Sequence, residues 1–295
     1  MLGSMIVDVL CRETDIQVRA TTRDDIKPVR DGGQTFEWLR FDAELDDPAS
    51  LCAGEDWVVN AIGIIKPLIN EHVPQEVRRA IAVNSLFPFR LAAAATTGNA
   101  RVIQIATDCV FSGRAGSYHE DAPHDALDVY GKTKSLGEVS ASNFLNLRCS
   151  VVGPELRGHR SLLDWLLSRP RGSKVQGFVN HRWNGVTTLQ FARIVLGLIR
   201  SKSMLTGTQH VVPSDAVTKA ELLRLFATAF GRPDLLIEDV EAVEAIDRTL
   251  STSRPKTNDE VWQASGLPRP LSVRAMVAEL SRWRRPAEPA HRADR

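Results

Sequence analysis

Two strongly apolar runs, residues 56–62 (DWVVNAI) and 101–106 (RVIQIA), stand on either side of a long helical pattern over 73–97. That order constrains the fold more than any other feature of the chain. Apolar runs without alternation fit strands buried on both faces, and two such strands joined by a helix are parallel neighbours. The rest of the first half repeats the theme. A helical pattern covers 2–12, strands cover 16–22 and, more weakly, 36–41, a second helix covers 128–143, and a strand covers 144–152. Gly98 supplies a C-cap for the long helix. The expected fold is α/β, a Rossmann-type doubly wound parallel sheet. Beyond Gly153 the texture changes, with Gly153-Pro154, Pro170-Arg171-Gly172 and Gly231-Arg232-Pro233 as punctuation. Helical patterns at 189–200, 219–230 and 273–283 alternate with short strands at 209–212 and 235–237. We read a nucleotide-binding domain over 1–153, a smaller α+β lobe with returning segments over 154–283, and a disordered Pro/Ala/Arg-rich tail over 284–295.

Charge narrows the function classes. Lys+Arg 37 against Asp+Glu 36 leaves +1 over 295 residues, so no global field recruits nucleic acid or an anionic membrane. No apolar stretch is long enough to cross a bilayer, and residues 1–10 lack the basic start of a signal peptide. Four scattered cysteines without a CxxC pair predict a reducing, cytoplasmic setting with neither disulfides nor a metal site.

The chemistry concentrates in four places. Tyr130 and Lys134 are four apart and share a helix face. A nearby ammonium lowers a phenol's pKa, and the pair can then pass a proton to a carbonyl oxygen. Alone, this spacing is weak, because a solvated Tyr/Lys face has the same pattern. Upstream, the strand ending at Thr107-Asp108-Cys109 places a hydroxyl where ligands of open α/β sheets sit. Asn60-Ala61-Ile62-Gly63 is another strand entering a small-residue turn, which lets the backbone approach a flat ligand. Asn84, on the long helix, is an amide that needs partners if buried.

The segments NAIG, VNSLFP, IATDCVFSG, YGKTKSLGE and LRCSVVGP together resemble an extended short-chain dehydrogenase/reductase, specifically the dTDP-4-dehydrorhamnose reductase branch of sugar-nucleotide reductases. The resemblance implies NADP as cofactor, with NAD as the alternative, and a nucleotide-sugar substrate held by the C-terminal lobe. It implies that Tyr130 is the catalytic acid, that Lys134 lowers its pKa and holds the nicotinamide ribose, and that Thr107 positions the substrate carbonyl. Gly3, Asn60, Ala61 and Gly63 then line the cofactor. Arg23, ending the second strand of such a fold, favours the 2′-phosphate of NADP, and Asp42 lies near the adenine. Asp108, Cys109, Trp183 and Asn184 become substrate contacts.

Departures from the family pattern carry their own expectations. Met1-Leu2-Gly3 matches only the end of a Gly-rich turn, with the preceding strand and two glycines missing. A start lying upstream is the favoured explanation, and loss of much of the pyrophosphate cradle the other. Cys109 and the Ser150-Val151-Val152 run replace expected aromatics, so the sugar could differ. The alternatives are a non-catalytic sugar-nucleotide-binding or regulatory protein and a nucleotide-sugar epimerase or dehydratase. The helix over 73–97 offers a face for a homodimer.

Overall fold

The computed structural model describes residues 1–23, 37–155 and 161–283; Phe36 and the expected tail over 284–295 lie outside the described residues. The first half runs α1 (Leu2–Leu10), β1 (Arg19–Thr22), β2 (Glu37–Arg40), α2 (Ala49–Cys52), β3 (Trp57–Asn60), α3 (Pro74–Ala80), a π-helical turn (Ile81–Leu86), α4 (Phe87–Thr97), β4 (Arg101–Thr107), α5 (Val129–Leu136) and β5 (Phe144–Cys149). The second half runs β6 (Val151–Val152), α6 (Leu162–Leu167), β7 (Lys174–Phe178), β8 (His181–Trp183), β9 (Val186–Thr187), α7 (Thr188–Arg200), β10 (Gly207–His210), β11 (Val217–Thr218), α8 (Lys219–Ala229), β12 (Leu236–Val240), β13 (Ile246–Asp247), α9 (Pro255–Ala264) and α10 (Val273–Arg282).

The expected parallel sheet is present. Its order is β10-β5-β4-β3, and every pairing in it is parallel. Every residue of β5 is buried, which is why the sequence there shows no polar alternation. β10 comes from beyond Gly153 and extends the sheet of the first half. β1 and β2 form a separate parallel pair, and Arg19 at its start reaches Glu55, just ahead of β3, at 2.5 Å. Helix α1 packs on α7, burying Met5, Ile6 and Val9 in one core with Ile194, Val195 and Leu198. A second core, built on Phe41, Phe87, Leu91 and Phe144, fills the other face of the sheet. Burying each such large side chain contributes about 1.5–3 kcal/mol. Among the described residues, no helix is long and apolar enough to cross a membrane.

Three elements differ from the sequence reading, each for a local reason. The helix over 73–97 carries a π turn in its middle, because Pro88 has no N–H to offer the Asn84 carbonyl four residues earlier. The helix beginning near Asp128 stops at Leu136. Gly137 there presses on that same Asn84 carbonyl, and a Cβ on Gly137 would lie 1.9 Å from its oxygen. The strand over 144–152 breaks at Ser150, so that Val151–Val152 pairs with β9 instead. Thr187 is the N-cap of α7, its hydroxyl accepting from Gln190 N at 3.2 Å.

Candidate active site

Strand β4 delivers Thr107 to its carboxyl end, where the chain turns through a short 3₁₀ segment. The Thr107 hydroxyl accepts from Cys109 N at 3.2 Å and donates to Asp108 Oδ1 at 3.2 Å. The Tyr130 phenol stands near enough for this hydroxyl to favour its ionised form. Helix α5 brings Tyr130 to this point. Asp128 caps the helix, accepting from Gly131 N at 2.7 Å and from Lys66 Nζ at 2.8 Å. Glu71 adds a second tether by accepting from Val129 N at 2.7 Å. Gly131 is required, because a Cβ there would lie 2.5 Å from the Cys109 carbonyl. The helix thus seats directly on the turn that holds Thr107, Asp108 and Cys109.

The electrostatics differ from the sequence expectation in one respect. Burial pushes the Tyr130 phenol well above its ordinary range, with Cys109, Asp108 and Asp128 adding to the rise and the Thr107 hydroxyl opposing it. The expected lowering by Lys134 is not found. The Lys134 ammonium, on a side chain only 9% exposed, donates to the Ile105 carbonyl at 2.9 Å. Burial lowers Lys134 to about 8, and Glu138 works against that. Asp108 is raised by burial, which Arg248 partly offsets. Burial also raises the Cys109 thiol to about 12, so it is protonated at neutral pH and is no nucleophile.

The residues expected along a cofactor edge divide into two sets. Asn60 is a frame member, and so is Asn84, the amide expected to need partners. Asn60 Nδ2 donates to Gln104 Oε1 at 2.7 Å, and its Oδ1 accepts from Ile62 N at 3.1 Å. Asn84 Oδ1 accepts from Ile64 N at 2.8 Å, while its Nδ2 donates to the Ile64 carbonyl at 3.0 Å and to Thr133 Oγ1 at 3.2 Å. One amide therefore ties the turn after β3 to the helix that carries Tyr130. Ala61 and Gly63 are the open positions on that turn. A Cβ on Gly3 would lie 3.4 Å from the Ala61 Cβ, so the first turn of α1 abuts the same loop. No side chain caps α1 and no acidic residue occupies its first turn. Arg23 is exposed just past β1. Asp42 accepts from Glu44 N at 2.8 Å, the geometry of a turn residue.

The segment after β13 reaches this site from the second half of the chain. Both polar ends of the Asn184 amide are used by Leu250, Nδ2 donating to its carbonyl at 2.7 Å and Oδ1 accepting from its N–H at 2.8 Å. Trp183 Nε1 donates to Ser150 Oγ at 2.8 Å. These two residues, expected at the substrate, spend their polar groups on the protein itself, Asn184 on the segment after β13 and Trp183 on the end of the first half. Arg248 was not anticipated. It enters from this segment, its Nε donating to the Phe111 carbonyl at 2.9 Å.

A buried polar cluster, also unanticipated, locks the segment in place. Arg148 donates to Glu138 at 2.9 and 2.5 Å, to His210 Nε2 at 2.8 Å and to His124 Nε2 at 2.8 Å. A guanidinium only donates, so both imidazoles accept and are neutral. His210 then donates from Nδ1 to the Ser251 carbonyl at 2.7 Å. Glu120 accepts from Thr252 Oγ1 at 2.6 Å and from Ser253 N at 2.9 Å. Neither Arg248 nor this cluster has a local signal, because each joins residues from distant parts of the chain.

A family model described as the RmlD substrate binding domain matches residues 53–280. The chain belongs to this family. The RmlD match takes in both Tyr130 and the Arg248 segment. A curated relative, the spore coat polysaccharide biosynthesis protein SpsK of Bacillus subtilis (strain 168), is 37% identical over 65 residues, which is 22% of this chain and only 23% of that protein's length. Among solved structures, a hypothetical dTDP-4-dehydrorhamnose reductase from Sulfolobus tokodaii matches with TM-score 0.67 and 19% identity, covering 87% of this chain and 90% of that one. MoeE5 in complex with UDP-glucose and NAD matches with TM-score 0.70 and 18% identity, covering 96% and 94%. At these identities the likeness to solved structures establishes the shared fold.

Proposed function

We propose that this chain is an NADP-dependent reductase that converts a 4-keto nucleotide sugar to the corresponding hydroxy sugar, with Tyr130 as proton donor. One observation carries the reading: the helix bearing Tyr130 seats, through Gly131, on the turn that follows Thr107 at the carboxyl end of β4, with Lys134 one turn along the same helix. Membership of the RmlD family, and NADP in a related solved reductase from Bacillus anthracis, support it.

The residues present fit a dinucleotide. The uncapped first turn of α1, Gly3 against Ala61, and the open turn through Gly63 suit close approach to a pyrophosphate. Arg23 suits a 2′-phosphate, and NAD remains the alternative where that contact is not used. When bound, the reduced nicotinamide supplies a hydride. Everything else falls to the chain. The raised phenol is protonated at neutral pH, the form a reduction needs. Thr107 orients the carbonyl oxygen, Tyr130 gives it a proton, and the phenolate left behind recovers one from water.

The test is NADPH consumption with dTDP- and UDP-linked 4-keto sugars. Tyr130→Phe is expected to lose about 10²–10⁴ in kcat while retaining NADPH affinity. Full activity in that variant would overturn the assignment. A product with the mass of its substrate would indicate epimerisation instead.

A further inference from the structure

Tyr130 lies in the first turn of α5, and the backbone N–H groups on either side of it are both held by carboxylates. Val129 N donates to Glu71 Oε1 at 2.7 Å, and Gly131 N donates to Asp128 Oδ1 at 2.7 Å. Asp128 is a local cap, but its other oxygen accepts from Lys66 Nζ at 2.8 Å. A first-turn N–H ordinarily finds its acceptor in a neighbouring residue or in water. Here Glu71 and Lys66 reach the helix start from 58 and 62 residues away.

Both reach from one short loop, residues 63–73. Its entry is fixed by Asn84, which holds the Ile64 N–H at 2.8 Å and the Ile64 carbonyl at 3.0 Å. Its exit is fixed as well: Asn70 N donates to Glu76 Oε2 at 2.6 Å, and His72 N donates to Asn70 Oδ1 at 3.1 Å. A 3₁₀ turn over Lys66–Leu68, with Pro67 inside it, stiffens the middle. The loop leaves the turn on which Ala61 and Gly63 are open. One braced stretch of backbone therefore starts at the cofactor edge and ends in two grips on the first turn of α5. Folding gains little from those grips. Glu71 is exposed and the Lys66 side chain is 61% exposed, and ion pairs at such positions contribute little to stability. Chemistry is far more sensitive to placement, losing about 10²-fold for a shift of about 1 Å.

We propose, resting on the reductase reading, that Glu71 and Lys66 are positioning residues: from the loop that begins at the cofactor edge, they fix where Tyr130 presents its phenol to the substrate carbonyl. They act through the backbone on either side of Tyr130 and not on the reacting atoms.

The experiment compares Glu71→Ala, Glu71→Gln and the double variant Glu71→Ala/Lys66→Met with the wild type. Single-turnover oxidation of NADPH by the 4-keto sugar that the wild type reduces is followed by absorbance in H2O and in D2O. NADPH affinity is read by fluorescence titration, and stability by urea denaturation. Glu71→Ala is expected to slow the turnover about tenfold and the double variant about 10²-fold, with NADPH affinity and the urea midpoint unchanged. The solvent isotope effect should rise in both, because a misplaced donor makes proton transfer the slow step. Glu71→Gln should recover most of the rate, since its amide oxygen still accepts from Val129 N. A double variant as fast as the wild type overturns the assignment. So does Glu71→Gln as slow as Glu71→Ala, or an isotope effect that stays at the wild-type value. A rate loss matched by losses in NADPH affinity or in the urea midpoint also overturns it, because the contacts would then be structural only. Wild-type protein that binds NADPH but oxidises it with none of the dTDP- and UDP-linked 4-keto sugars overturns the reductase reading itself, and the assignment with it. That result is distinguishable, since it appears before any substitution is made.

Discussion

Two walls of the candidate site are built by opposite means. The wall that carries Thr107, Tyr130 and Lys134 comes from one βα unit, and helix periodicity and a strand end set its geometry. The facing wall, residues 247–254, has little regular structure. Side chains hold it: Asn184 on Leu250, His210 on Ser251, and Glu120 on Thr252 and Ser253. A wall made by local repetition tolerates change at single polar positions. A wall made by long-range hydrogen bonds concentrates its stability in a few buried groups, which makes it the one to attack.

The largest effect is expected at Arg148. Arg148→Met takes from Glu138 its cation partner in a buried site, at a cost of about 3–5 kcal/mol. Adding Glu138→Leu should recover most of that loss, measured by urea denaturation. If Arg148→Met alone is neutral, the facing wall does not depend on this cluster and the contrast fails.

Acid should act on the same wall. Burial, then Arg148, holds His210 down from 6.5 to about 4, and His124 is lowered for the same reasons. The unfolded chain therefore takes up protons near pH 6.5 that the folded chain refuses. The stability that His210 contributes is whole above about pH 6.5 and is lost as the pH falls toward 4. This amounts to about 3 kcal/mol, given about 1.4 kcal/mol per pH unit. Burial raises Glu120, but hydrogen bonds from Thr252 and Ser253 outweigh it and hold the group at about 2. Its share is lost later, below about pH 4.5. Thermal melts between pH 7.5 and 4 should show the decline, and His210→Gln should flatten its upper part.

Those two effects mark what the sequence could and could not yield. Strands β3 and β4 were legible because burial on both faces writes a continuous apolar run. Tyr130 and Lys134 were legible because helical spacing puts them on one face. The end of α5 was not, because it depends on Gly137 meeting the Asn84 carbonyl, two residues far apart in the chain. Helix α9 went unread because it buries only Asn258, Val261 and Trp262, too narrow a stripe to show as periodicity. The direction of the Tyr130 shift was misread for a related reason. Spacing along a helix reports that Lys134 is near, but not that Ile105 holds it or that Cys109 and Asp108 close in from another strand end. Charged and amide groups that act across the chain carry no local pattern.

Smaller effects separate clamp from substrate contact. Asn184→Ala removes two hydrogen bonds and leaves the Leu250 N–H and carbonyl unmet, which should cost about 2 kcal/mol. It should also raise KM for the sugar without moving NADPH affinity, since the loosened segment packs on the Phe111 end of the site and not on the cofactor edge. A parallel loss of NADPH affinity would mean that the two walls are not independent.

Trp183→Phe is the mildest test and bears on the same distinction. The indole could stack on a sugar or serve as a strut. Its N–H is committed to Ser150 Oγ, and a Cβ on Gly185 would lie 2.5 Å from Trp183 Cζ2, so backbone already packs against the ring. Phenylalanine keeps most of the packing and loses one hydrogen bond near the surface, where water can replace it. The expected loss is about 1 kcal/mol, with KM for the sugar unchanged. A KM that rises severalfold while stability holds would move Trp183 from the frame to the substrate, and the facing wall would then hold a recognition surface.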